Sequence, residues 1–185
     1  MQHQPVIQSV NETKNVNQKI IIIGDNHARN SAAQLQHCVG STFAVSSFVK
    51  PGAEIRGTGD IMKENITKLK SDDVMVIWGE SNDIGKNNSK EAQEYLCDFI
   101  KNNQMINIVV MNAPPRHDLL PSFCLNNEVI SISMQIKKRM TIYNNVKILE
   151  TDLEREYLIK RGLHLNSSGK ECIVLRLAAV VKRFF

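Results

Sequence analysis

The residues able to do chemistry in this chain sit in short polar phrases, each directly after an apolar run or just ahead of a helix. Asp25-Asn26-His27 follows four isoleucines, Gly52 follows Lys50-Pro51, and Glu80-Ser81-Asn82-Asp83 follows VMVIWG. Arg116-His117-Asp118 follows the run Ile106 to Met111, and His164 precedes the last helical pattern. Histidine is the side chain that exchanges protons near neutral pH. A turn that leads from a strand into a helix adds free N–H groups, which favour developing negative charge. No group of His, Cys or carboxylates has metal-ligand spacing, and the glycines form no phosphate-binding loop, so neither a metal nor a cofactor is expected.

Those phrases need elements to position them. Four consecutive isoleucines, Ile20 to Ile23, read as a strand buried on both faces, and Gly24-Asp25-Asn26-His27 turns into a helix over about Ala28 to His37. Thr42 to Val49 alternates as a second strand and ends at the turn Lys50-Pro51-Gly52. Gly57 to Lys70 reads as a helix with Thr58 as its cap and Ile61, Ile66 and Leu69 on one stripe. Ser71 to Gly79 is a third strand, Lys90 to Asn102 a helix with Ala92, Tyr95, Leu96 and Phe99 inward, and Ile106 to Met111 a fourth strand. Pro114 and Pro115 hold the next loop extended. A helix over Asn127 to Met140, a fifth strand over Val146 to Glu150 and a short helix within Asp152 to Ile159 follow. The last helix, Ser167 to Phe185, turns Cys172, Leu175, Ala179 and Val180 inward. Strict alternation of strand and helix argues for a parallel, doubly wound sheet. In such sheets ligands bind at the carboxyl ends of the strands, where every polar phrase above falls.

Length and composition set the frame. At 185 residues the chain suits one domain over 19–185 with a polar leader over 1–18, and it can bury a core without disulfides. Cys38, Cys97, Cys124 and Cys172 are far apart and read as small buried hydrophobes in a reducing, cytoplasmic compartment. No apolar run approaches membrane-spanning length. The 23 Lys and Arg against 19 Asp and Glu leave a formal charge of +4. Without interleaved aromatics this reads as solvated helix faces in preference to a nucleic-acid footprint.

The phrases IIIIGDNHAR, IWGESND and GLHLN together resemble the SGNH (GDSL-like) hydrolases, over Lys19 to the C-terminus. The nearest likeness is to SGNH-like domains of retroelement-derived proteins. The resemblance implies a three-layer α/β/α sandwich with a five-stranded, parallel, flavodoxin-like sheet, and a cofactor-free ester hydrolase acting on small acyl esters. It also implies roles: residue 26 at the nucleophile position, His164 as general base, and Gly52 and Asn82 as oxyanion donors. Asp25, His27, Glu80, Asp83, His117, Asp118 and Arg161 would surround the pocket.

Three departures bear on activity. Asn26 stands where the family has its serine, and a carboxamide has no hydroxyl for a base to activate. Ser31 lies too far beyond the turn to replace it. Glu80 stands at a family glycine, and Arg161 stands three residues before His164 where the family has an aspartate, so the imidazole lacks its usual orienting carboxylate, and a backbone carbonyl or Asp118 is the candidate to hold it instead. Plainer readings exist residue by residue: Asn26 as a tight-turn residue, His27 as a helix-start packing residue, His117 as an exposed loop residue. The expectation is therefore an SGNH-type esterase by descent that is impaired in this chain. The alternative is a non-catalytic module that holds a carbonyl or carboxylate ligand, with an accessory role in nucleic-acid binding as the further reading.

Overall fold

A computed structural model describes residues 18–79, 81–85, 88–114, 117–118, 124–160, 162 and 164–185. The isoleucine run forms strand β1 (Gln18–Gly24), in which Ile20 to Ile23 are at most 6% exposed. Successive side chains of a strand point to opposite faces. Accordingly Ile21 and Ile23 join one apolar cluster while Ile20 and Ile22 join another. Each isoleucine so buried contributes about 1.5–3 kcal/mol relative to exposure.

Strands β2 (Phe43–Val49), β3 (Val74–Trp78), β4 (Asn107–Met111) and β5 (Val146–Leu149) complete a wholly parallel sheet in the order β2-β1-β3-β4-β5. This is the flavodoxin-like order, with β1 and β3 adjacent. The register aligns the strand ends: Gly24 lies opposite Val49 and Trp78, Trp78 opposite Met111, and Met111 opposite Leu149. The loops that follow the strands therefore leave from one row.

Helices α1 (Ser31–Val39), α2 (Gly59–Ile66), α3 (Ser81–Gly85), α4 (Ser89–Lys101), α5 (Cys124–Met140) and α6 (Ser167–Val181) form the outer layers. Leu35 and Val39 of α1 and Ile173, Val174 and Leu177 of α6 cover one face of the sheet. Residues of α2 to α5, among them Met62, Ile84, Leu96 and Ile136, cover the other.

Several local expectations change. The first helix begins at Ser31 because a single 3-10 turn, Asn26–Ala28, intervenes and Asn30 takes a left-handed φ of 65°. Thr58 does not cap α2 through its side chain; its hydroxyl donates to Ile55 O at 2.7 Å in the 3-10 turn Arg56–Thr58. Between Asp152 and Ile159 the only helical piece is the 3-10 turn Arg155–Tyr157. Helix α6 is rotated from the expected phase: Leu175 is 55% exposed and Ala179 is exposed, while Ile173, Val174, Leu177, Ala178 and Val181 are buried. Its apolar residues run almost round the helix, so periodicity did not fix the phase. The phase is set at the N-terminus, where Asn166 Oδ1 caps Gly169 N at 2.9 Å and Gly169 lies against Tyr157 O. Cys124 is exposed, not buried, and Cys38, Cys97 and Cys172 are half-buried free thiols. In the basic segments, Lys137 pairs with Glu150 at 2.7 Å and Lys182 donates to Cys38 O at 3.2 Å. Among the described residues no helix is long and apolar enough to cross a membrane.

Candidate active site

The turn after β1 is built on Asp25. Gly24 precedes it because β3 passes so close that a Cβ there would meet Trp78 O. Asp25 N donates to that same oxygen at 3.1 Å, which draws the turn over the edge of the sheet. The Asp25 carboxylate is 2% exposed. Its Oδ1 accepts His27 N at 2.9 Å, shaping the 3-10 turn as an N-cap, and its Oδ2 accepts Asn82 Nδ2 at 2.8 Å. Residue 26 is thus held at the crest of a turn anchored on both sides, and it is half-buried.

Asn82 opens α3 and spends both carboxamide hydrogens, one on Asp25 and one on Ala53 O at 2.9 Å. A ligand oxygen must draw one of them away from its present acceptor. The Ala53 contact carries the loop after β2 to the site, beside Gly52, which is exposed and has φ +66°. Lys50 N donates to Gly24 O at 2.9 Å and closes the same loop against β1. Asp83 is buried, and its carboxylate accepts Ile55 N at 3.0 Å, so it holds the backbone of that loop.

His164 comes from a tight excursion between Leu158 and Leu165, which form an antiparallel bridge. Ile159 N donates to His164 O at 2.8 Å and Gly162 N to Ile159 O at 2.7 Å. Gly162, at φ +73°, lets the segment at His117 and Asp118 pass so close that a Cβ would clash with its backbone. The His164 ring is half-buried and lies 5.2 Å, centroid to centroid, from that of His27, with the planes tilted by 54°. His27 is 5% exposed, and its Nδ1 is buried without a hydrogen-bond partner. Burial lowers the His27 pKa from its ordinary value; the charge of Asp25 opposes this, and those of His164 and Lys170 add to it. Lys170 Nζ donates to Arg29 O at 3.1 Å and ties α6 to the end of the same turn.

Asp25, His27, Asn82 and His164 are therefore in one contiguous cluster, drawn from three separate stretches of chain. His117 is not the exposed loop residue expected: it is half-buried and its Nε2 donates to Leu153 O at 3.0 Å, while its backbone N–H donates to Gly162 O at 3.1 Å. Asp118 is exposed beside Gly162. Glu80, Arg116 and Arg161 lie outside the described residues. Ser31, set aside as a nucleophile, is 1% exposed and donates its hydroxyl to Ala28 O at 2.6 Å. Sequence reasoning missed the Ala53 carbonyl, the pairing of the two histidines and the Lys170 tie, all of which depend on long-range packing. Among the described residues no three His, Cys, Asp or Glu side chains are grouped to hold a metal. Two cavities, of about 260 and 470 Å³, lie elsewhere: one between α5 and β5 at Ile130, Met134 and Ile148, the other between α2 and α4 at Ile66, Tyr95 and Phe99.

No known protein-family profile matches the sequence. No curated protein matches it either. Solved structures do match the fold. A member of the lipolytic G-D-S-L family from Veillonella parvula aligns with a TM-score of 0.74 at 14% identity, over 90% of this chain and 99% of that one. A GDSL-like lipase from Bacteroides thetaiotaomicron aligns with a TM-score of 0.73 at 10% identity, over 91% and 89% of the two chains. An acetyl xylan esterase aligns with a TM-score of 0.71 at 15% identity, over 88% and 99%. The chain thus has the three-layer α/β/α fold, with its five-stranded parallel sheet, of the GDSL (SGNH) hydrolases.

Proposed function

We propose that this chain is an SGNH-type ester hydrolase by descent, with a site suited to small acyl esters and with serine catalysis impaired because Asn26 occupies the nucleophile position. The observation that carries the reading is the turn itself. Asp25 clamps residue 26 between its bonds to His27 N and Asn82 Nδ2, at the carboxyl edge of a sheet shared with GDSL hydrolases. In a competent chain His164 would take the proton of a hydroxyl at position 26 as its oxygen bonds to the acyl carbon. The leaving alcohol would depart with that proton, and water would then release the acyl group. Gly52 N–H and Asn82 Nδ2 are the candidate donors to the oxyanion, the latter by giving up its bond to Ala53 O. The Asn26 carboxamide has no group that His164 can turn into an alkoxide, so the chain is a pseudoenzyme in this reading.

The phrases IIIIGDNHAR, IWGESND and GLHLN support a nearest relation to SGNH-like domains of retroelement-derived proteins. The four unpaired cysteines fit an intracellular setting. The second reading, a module that binds a carbonyl or carboxylate compound without turning it over, is favoured by the same missing hydroxyl. The deciding experiment compares hydrolysis of a small acetyl ester by the chain, by Asn26→Ser and by Asn26→Ser with His164→Ala. Activity in the second alone supports the esterase reading. Silence in all three supports the binding module, and hydrolysis by the unaltered chain that His164→Ala abolishes overturns the inactivation.

A further inference from the structure

His27 has no task in the mechanism above, yet it is the most deeply buried ionisable ring of the site. Its Nδ1 is buried with no partner, and such an atom is costly to keep. The His164 ring stands 5.2 Å away between centroids. A ring-to-ring N–H···N bond of about 3 Å sets two imidazole centroids about 5 Å apart, which is the separation found here. His164 has a matching need, because Arg161 stands where an orienting aspartate is expected.

We propose that His27 is the positioning residue for His164, its neutral Nδ1 accepting the ring N–H of His164 in place of a carboxylate. The inference deepens the ester-hydrolase reading and rests on it only for the use made of the pair. When His164 takes a proton from a hydroxyl or a water, that proton enters at its other ring nitrogen. The N–H toward His27 stays in place, and no proton passes to His27. The charged groups facing His27 are Asp25 from its own turn, His164 from the loop before α6 and Lys170 from α6; burial outweighs the first and the others reinforce it, so the ring stays an acceptor.

The test is nitrogen-15 NMR of the imidazoles in the full chain, which reads no activity. The expected result is an unprotonated His27 Nδ1 with a scalar coupling across the N–H···N bond to a His164 ring nitrogen. The coupling is lost in His27→Phe, which keeps the ring's bulk without its acceptor. In His27→Gln, whose amide oxygen restores an acceptor, the His164 ring N–H is again protected from exchange. A protonated Nδ1 in the unaltered chain, or His164 ring signals unchanged by His27→Phe, overturns the proposal. Should His27→Phe not fold, His164→Ala serves instead: the His27 Nδ1 resonance must move to that of an unbonded acceptor, and its failure to move overturns the proposal. A coupled pair in a chain whose Asn26→Ser version is inert leaves the dyad standing and the esterase reading fallen. An active Asn26→Ser without the coupling does the reverse.

Discussion

The Asp25 carboxylate accepts a 2.8 Å hydrogen bond from Asn82 Nδ2 across 57 residues of sequence, joining the end of β1 to the start of α3. The same carboxylate fixes the turn that carries residue 26 through His27 N. Hydrogen bonds to an ionised group are worth about 1.5–3 kcal/mol each, and here two are lost, one of which is the cap. Asp25→Ala should lower stability by about 3 kcal/mol in urea unfolding, with Asp25→Asn intermediate because one acceptor oxygen remains. Equal midpoints for the native chain and Asp25→Ala would show that the clamp carries no stability.

Asn26→Ser should turn an inert chain into a slow esterase. Loss of a triad nucleophile costs about a million-fold in turnover, so even a partly assembled site should rise by at least about a hundredfold over the unaltered chain. The gain stays below a full triad's because Arg161 stands where the family's orienting aspartate is expected. Initial rates on an acetyl ester, with the double variant Asn26→Ser/His164→Ala as the blank, measure it.

Two glycines of the site loops should respond differently to alanine. A Cβ on Gly24 would sit 2.1 Å from Trp78 O, a backbone atom of the adjacent strand, so Gly24→Ala must part β1 from β3. That should cost more than about 3 kcal/mol. Nothing lies within 4 Å of a Cβ on Gly52, and only its left-handed φ of +66° is penalised, at about 1–2 kcal/mol. Unfolding midpoints of the two variants should differ in that order.

Acid should weaken the fold through His27. Its folded pKa is depressed, so on descending below the ordinary histidine value of 6.5 the unfolded chain takes up a proton that the folded chain refuses. Stability is whole above that value and falls as pH drops from it toward the lower folded value, by at most about 1.4 kcal/mol per pH unit. His27→Gln should remove this component. Urea midpoints at pH 7.5 and 5.5 should therefore diverge less in the variant than in the native chain, and an identical difference in both would refute the assignment.

Much of the architecture was legible because it rests on local patterns. Four isoleucines in a row cannot be satisfied except by burial on two faces, and the alternation of such runs with helical stripes leaves few ways to wind a sheet. The phrases after β1 and β3 were recognisable for the same reason: glycine and polar residues abruptly end an apolar run. That Asn26 offers no hydroxyl for a base to activate is likewise a fact of residue type, readable without coordinates.

What residue types leave open is direction. Helix α6 is apolar almost all round, so its buried face was decided by Asn166 capping Gly169 and by the close approach of Gly169 to Tyr157 O. The histidine at 117 belongs to Leu153 and Gly162 because the loop after β4 packs there. The opposition of His27 to His164, and the engagement of Asn82 by Asp25 and Ala53, depend on strand ends aligned by the sheet's register. Those contacts join residues 29 to 137 positions apart, and only the closed tertiary structure brings them together.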